Sequence, residues 1–151
     1  WIRDFRDEDV AAANALTNHF IEHTAVHFAL DPATDEEFRA AWSSTQPAWP
    51  WFVAEVQGRF VGYCKAAPWR TRAGYAKTAE TSLYVEEDAR GQGVGQTLYL
   101  AMLQRLRRLG FRTVVAGVAH DASTGDTYLS AWDGLNNDFL LRVASSSTTP
   151  P

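Results

Sequence analysis

Apolar and polar residues along the chain follow two periods, and the changes between them outline a fold. From 78 to 85 they alternate, with Ala79, Thr81, Leu83 and Val85 on one side and Glu80, Ser82 and Tyr84 on the other, the two-residue repeat of a strand. The period then lengthens. Leu98, Met102, Leu106 and Leu109 recur at spacings of four and three, the stripe of an amphipathic helix, and Gly110 stands where a left-handed C-cap belongs. Upstream, residues 1–5 read as a short strand, and Asp7, Glu8 and Asp9 put acids at the start of a helix running to about Phe20. Thr34 and Glu37 form a capping box that opens a second helix through Phe38, Ala41 and Trp42. Residues 51–56 and 59–66 predict a hairpin turning at Gln57-Gly58, followed by a loop over 68–75. Residues 111–119 read as a further strand and 139–143 as a last one, while 120–137, rich in Asp, Gly, Asn, Ser and Thr, has no clean helical period. The order β, α, α, β, β, β, α, β predicts a mixed α/β (α+β) domain over 1–144 with an irregular C-terminal end, and a tail over 145–151 disordered by composition.

Composition narrows the partners. The chain has 151 residues, 46% of them hydrophobic, enough for one domain with a real core. A formal charge of -4 without a basic stripe argues against nucleic acid and for a small polar or charged ligand. Cys64 is the single cysteine, so no internal disulfide forms; it reads as a buried thiol, and cytoplasm is the simplest expectation. No apolar stretch approaches the ~18 residues of a membrane helix.

The chemistry is carried by Arg90-Gly91-Gln92-Gly93-Val94-Gly95, between the alternating strand and the helix. A helix start presents unpaired N–H groups and a partial positive charge, and residues without a Cβ let a pyrophosphate come close. Spacing decides which glycine loop this is. A P-loop needs Lys and Ser or Thr after its last glycine, and here Gln96 and Thr97 follow Gly95. The dinucleotide fingerprint needs a third glycine where Gln96 stands. An ordinary Gly-rich connection is the bland reading, and Glu86, Glu87 and Asp88 ahead of the loop would repel a pyrophosphate unless they point to solvent, with Arg90 compensating in part.

The pattern Arg-x-x-Gly-x-Gly resembles the acetyl-CoA pyrophosphate motif of the GNAT N-acetyltransferase family, whose order of elements is the one predicted above. Further runs are similar to the phosphinothricin N-acetyltransferase group of that family. They are Asn18-His19-Phe20-Ile21-Glu22, Val26-His27-Phe28, Trp49 to Val56, Ala67-Pro68-Trp69-Arg70, Arg72, Tyr75, Glu80 to Val85 and Thr97-Leu98-Tyr99, collinear from about Ile2 to Ala119. The resemblance implies acetyl transfer from acetyl-CoA, without a metal, to the α-amino group of a small amino acid or analogue such as phosphinothricin or methionine sulfoximine. It also implies a homodimer. Glu80 matches the family's catalytic Glu and would act as general base, because an α-amino group with a pKa of ~7.7–8 or above arrives mostly as the non-nucleophilic ammonium. The alternative for Glu80 is a solvent-facing strand carboxylate. By the same resemblance Leu83, Tyr84 and Val85 offer backbone groups to the pantetheine arm. The segment Arg90, Gly91, Gln92, Gly93, Val94, Gly95, Gln96 and Thr97 would hold the pyrophosphate.

For the acceptor, Arg70, Arg72 and Tyr75 precede the Glu80 strand, and arginine suits a carboxylate or phosphinate; as loop residues they also read as solvated charges. Phe28 matches a residue the family places beside the substrate, and equally a core aromatic. Two readings compete. His19-Phe20-Ile21-Glu22-His23 spells H-x-x-E-H, a zinc peptidase pattern that needs a third protein ligand. A non-catalytic acyl-CoA binding module is suggested by the C-terminal end, where Asp121-Ala122-Ser123 keeps a fragment of the family pattern, the family's helix and its His have no counterpart, and Tyr128 is a candidate proton donor to the CoA thiolate.

Overall fold

The computed structural model of the chain describes residues 1–23, 31–118, 120–121, 126–127 and 140–145. Along it run β1 (Ile2–Asp4), α1 (Val10–His23), α2 (Asp35–Thr45), β2 (Trp51–Val56), β3 (Arg59–Pro68), β4 (Thr78–Val85), α3 (Val94–Arg108), β5 (Thr113–Val118), β6 (His120–Asp121), β7 (Asp126–Thr127) and β8 (Leu140–Ser145). The mixed α/β class and the predicted order therefore hold. Strands β1, β2, β3, β4, β5 and β8 form one sheet in that order, antiparallel as far as β4 and parallel from β4 through β5 to β8, while β6 and β7 pair separately.

Boundaries differ where local geometry takes over. The acids at 7–9 form a 3-10 turn rather than the first turn of α1, because Asp9 is buried. Its carboxylate takes both terminal nitrogens of Arg3 at 2.7 Å, and Arg3 also reaches Glu55 on β2. This fork joins β1, the turn and β2. The strand after α3 starts two residues later than expected, since Phe111 and Arg112 close the helix end onto Leu106 and Lys77. Ser145 is the last residue of β8 rather than the first of a tail.

Strand alternation and helix stripes build two cores on opposite faces of the sheet. On one face Leu98, Tyr99, Met102, Leu103 and Leu106 of α3 pack on Phe52, Ala54, Val61, Cys64, Ala66 and Ala79. On the other, Val10, Ala13, Leu16 and Phe20 of α1, spaced three and four apart, pack with Phe38 of α2 on Trp51, Val53, Tyr63 and Tyr84. The capping box of α2 forms as the sequence predicts: the Glu37 amide donates to Thr34 Oγ1 at 3.2 Å and the Thr34 amide donates to Glu37 Oε2 at 2.8 Å. Asn18 exchanges hydrogen bonds of 2.9 and 3.0 Å with the Ala33 backbone, which fixes α1 against the approach to α2.

Candidate active site

The site begins with a parting of strands. β4 pairs with β3 along its whole length from Ala79 to Val85, but with β5 only from Thr78 to Thr81. Beyond Ala116, β5 continues beside β8 alone. Over residues 82–85, β4 therefore has β3 as its strand partner while β5 does not reach it, and the Val85 carbonyl there is taken by Arg90. A strand edge without a partner offers its N–H and C=O groups to an added chain. Leu83, Tyr84 and Val85, singled out from the sequence, lie on this stretch.

Next to that edge is the start of α3. Gly91 and Gly93 have φ of 72° and 81°, the left-handed region where a Cβ is costly, and open space lies where their side chains would be. Gly95 faces β4: a Cβ there would stand 3.4 Å from Leu83 Cδ2 and 3.6 Å from Val85 Cγ2, ordinary van der Waals contact. Thr97 closes the first turn, its amide and hydroxyl both donating to the Gly93 carbonyl at 3.0 and 2.9 Å. No side chain caps the helix, which leaves the amides of Val94, Gly95 and Gln96 turned toward the glycine loop. Gln92 braces the loop by donating to the Asp88 carbonyl at 2.9 Å. Arg90 folds back, its Nε donating to the Val85 carbonyl at 3.3 Å and its guanidinium lying 5.3 Å from the Phe20 ring centroid.

The acids ahead of the loop have a counterweight that the sequence does not reveal. Arg59, at the start of β3, pairs with Glu86 and, at 2.9 Å, with Asp88. Two of the three carboxylates are thereby drawn to Arg59 and their charge is offset in part, a role the sequence reading gave in part to Arg90.

Glu80 stands three residues before Leu83, about 10 Å along the strand at ~3.3 Å per residue. It is half-buried rather than fully solvated, on the face that carries Tyr84 and Tyr63. It is the sole carboxylate of β4. Burial holds the phenols of Tyr84 and Tyr99 above their ordinary pKa, so both remain protonated at neutral pH and neither is a base. Tyr99 shares a buried 2.6 Å hydrogen bond with Thr81, the last residue of β4 paired to β5. Across from Glu80, β3 presents Ala67 directly and Lys65 diagonally.

The loop before β4 meets the Glu80 end of the strand. Arg70 lies over the Trp69 and Tyr75 rings at 5.2 and 6.0 Å, Arg72 precedes the short turn Ala73–Tyr75, and all three site candidates in it are exposed. Donor candidates thus gather at the C-terminal end of β4 and acceptor candidates at its N-terminal end, with Glu80 nearer the latter. Phe28 and Tyr128 lie outside the described residues. His19 and His23 stack at 4.5 Å, with His23 Nδ1 2.9 Å from the His19 carbonyl oxygen. Among the described residues no three His, Cys, Asp or Glu side chains are gathered as a metal site.

Gly62 was missed by sequence reasoning. It follows a bulge where β2 and β3 slip register, and a Cβ there would stand 2.5 Å from the Tyr84 carbonyl oxygen. A glycine inside a strand signals close backbone approach, and that signal was present.

Comparison with known proteins bears on the same segment. The family model described as acetyltransferase (GNAT) family matches residues 14–125. The phosphinothricin N-acetyltransferase of Streptomyces viridochromogenes is 37% identical over 124 residues, covering 81% of this chain and 68% of that protein. The L-methionine sulfoximine/L-methionine sulfone acetyltransferase of Salmonella typhimurium is 33% identical over 112 residues, covering 73% and 65%. The crystal structure of a phosphinothricin acetyltransferase from Sinorhizobium meliloti in complex with acetyl-CoA superposes with a TM-score of 0.74 at 28% identity, covering 78% of this chain and 64% of that one.

Proposed function

The chain belongs to the acetyltransferase (GNAT) family, and on that premise we propose that it moves an acetyl group from acetyl-CoA to the α-amino group of a small amino acid or analogue, of the phosphinothricin or methionine sulfoximine kind. The observation that carries this reading is the parting of β4 from β5 beside an uncapped helix start, with the carboxylate of Glu80 on the same strand. The named relatives and the acetyl-CoA complex support the donor and the class of acceptor.

The geometry suggests a division of work. The amides of Val94, Gly95 and Gln96 and the open loop at Gly91 and Gly93 receive the pyrophosphate, helped by the helix dipole. The part of β4 that β5 does not reach takes the amide groups of the pantetheine arm as a strand would, which points the thioester back along β4 toward Glu80. An acceptor amine entering as ammonium gives its proton to Glu80, directly or through one water. The freed nitrogen attacks the thioester carbonyl carbon; the C–N bond forms, the C–S bond breaks, and CoA leaves as a thiolate that takes a proton. Arg72, Arg70 and Tyr75 are the groups we assign to the acceptor's acid.

Acetyl-CoA consumption measured against phosphinothricin, methionine sulfoximine and ordinary amino acids tests the reading. Glu80→Gln should lower the rate about 10²- to 10⁴-fold, the usual contribution of a positioned base, and leave CoA affinity nearly unchanged. Firm CoA binding with no turnover of any amine would favour a non-catalytic binding module. Absence of CoA binding would sink both.

A further inference from the structure

Lys65 is a charge that the acetyl-transfer mechanism does not use. It sits in mid-β3, half-buried, in a row with Trp51 on β2 and Ser82 on β4, on the same face as Glu80. Its ammonium lies 5.2 Å from the centroid of the Trp51 ring. Among the described residues no ion pair includes Lys65, Glu80, Arg70 or Arg72, whereas Arg3, Arg59, Arg39 and Arg105 are each matched to a carboxylate. The ring beneath it is that of a residue whose indole N–H is buried and has no acceptor among the described residues. Desolvation lowers the Lys65 pKa, and the attraction of Glu80 opposes this without a direct contact. A partly desolvated ammonium without a direct ion-pair partner is costly to maintain, and a ligand anion beside it would offset that cost.

The position says which ligand. Glu80 marks where the acceptor's nitrogen stands, and Lys65 is its diagonal neighbour across the β3–β4 pair, about 7–8 Å away between backbones, so one small molecule spans both. Arg70 and Arg72 stand on the loop that follows β3, beyond Ala67 and Pro68 in the chain. Cations on β3 and on the loop after it match an acceptor with an amine and two acids.

We propose that Lys65 is a specificity-determining anion receptor in the acceptor site, which fits this chain to amino acids bearing a second acidic group in the side chain; the proposal rests on the acetyl-transfer reading above. Phosphinothricin, with a carboxylate and a phosphinate, and methionine sulfone, with a carboxylate and an uncharged sulfone, are the probes. For each, kcat/KM and the dissociation constant from CoA-loaded protein are measured in the wild type, Lys65→Met and Lys65→Arg. The wild type should prefer phosphinothricin. Lys65→Met should lose about ten- to a hundredfold on phosphinothricin, the range of one charged hydrogen bond, mainly through KM, and little on methionine sulfone. Lys65→Arg should keep most of the preference. Should Lys65→Met fail to fold, Lys65→Gln reads the same ratio. Equal losses on both probes, or none, overturn the proposal. Turnover with an unchanged ratio in the variant would remove Lys65 and leave acetyl transfer standing. A binding preference lost in the variant without turnover in any form would do the reverse.

Discussion

Replacing Gly62 by alanine tests whether the edge of β4 is the donor's seat. The added Cβ would stand 2.5 Å from the Tyr84 carbonyl oxygen and 3.1 Å from Val85 Cα, both backbone atoms of β4 that no rotamer change can move. Ordinary contact begins near 3.4 Å, so the strand must give by about 0.9 Å at Tyr84, the difference between the two distances. Overpacking of this kind costs about 1–3 kcal/mol. For a chain of this size each kcal/mol lowers the melting temperature by roughly 2–4 °C, so a fall of about 2–12 °C is expected. The displaced segment is the one β5 does not reach, and loss of one hydrogen bond to the donor, about 0.5–1.5 kcal/mol, weakens CoA binding roughly two- to tenfold. Thermal unfolding and calorimetric titration with CoA measure both effects. A variant that melts lower yet binds CoA like the wild type refutes the seat at β4; one that melts normally refutes the packing argument.

Two more outcomes follow from charges and burial. Arg59→Met leaves Glu86 and Asp88 unpaired beside the glycine loop, so CoA affinity should fall a fewfold at low ionic strength and recover toward wild type at about 1 M salt, where the Debye length shrinks to ~3 Å; a loss that salt does not reduce argues against electrostatics. Cys64 is fully buried and desolvation pushes its thiol well above the ordinary range, so the native protein should resist alkylation at pH 8 and label only on unfolding, which mass spectrometry reads; rapid native labelling would show the thiol to be accessible.

Most of the local architecture was legible in the chain because it is written in short-range periods. The alternation of 78–85, the stripe from Leu98, the capping box at Thr34 and the glycines at 91 and 93 each depend on residues within a few positions, and each is found where expected. What escaped depends on register between distant segments. That β5 leaves β4 after Thr81 follows from how 78–81 aligns with 113–116, which no window of sequence contains. Arg59 meets Glu86 across a sequence separation of 27, which no local pattern reveals. Lys65 lies beside Trp51 through the register of β2 on β3, which nothing local in the chain announces. Asp9, taken for a helix-dipole acid, is instead the buried partner of Arg3.

The sheet also separates two kinds of inheritance. Gly95, Leu83 and Val85 meet on the face covered by α3, while Glu80, Lys65, Trp51 and Tyr84 belong to the face covered by α1 and α2. Side chains on alternate positions of one strand change without touching one another, so under the proposed assignment mutations on the acceptor face need not disturb the donor face. A lineage can exchange one amine for another by drift on a single surface. The strand between the two faces is the part that must stay.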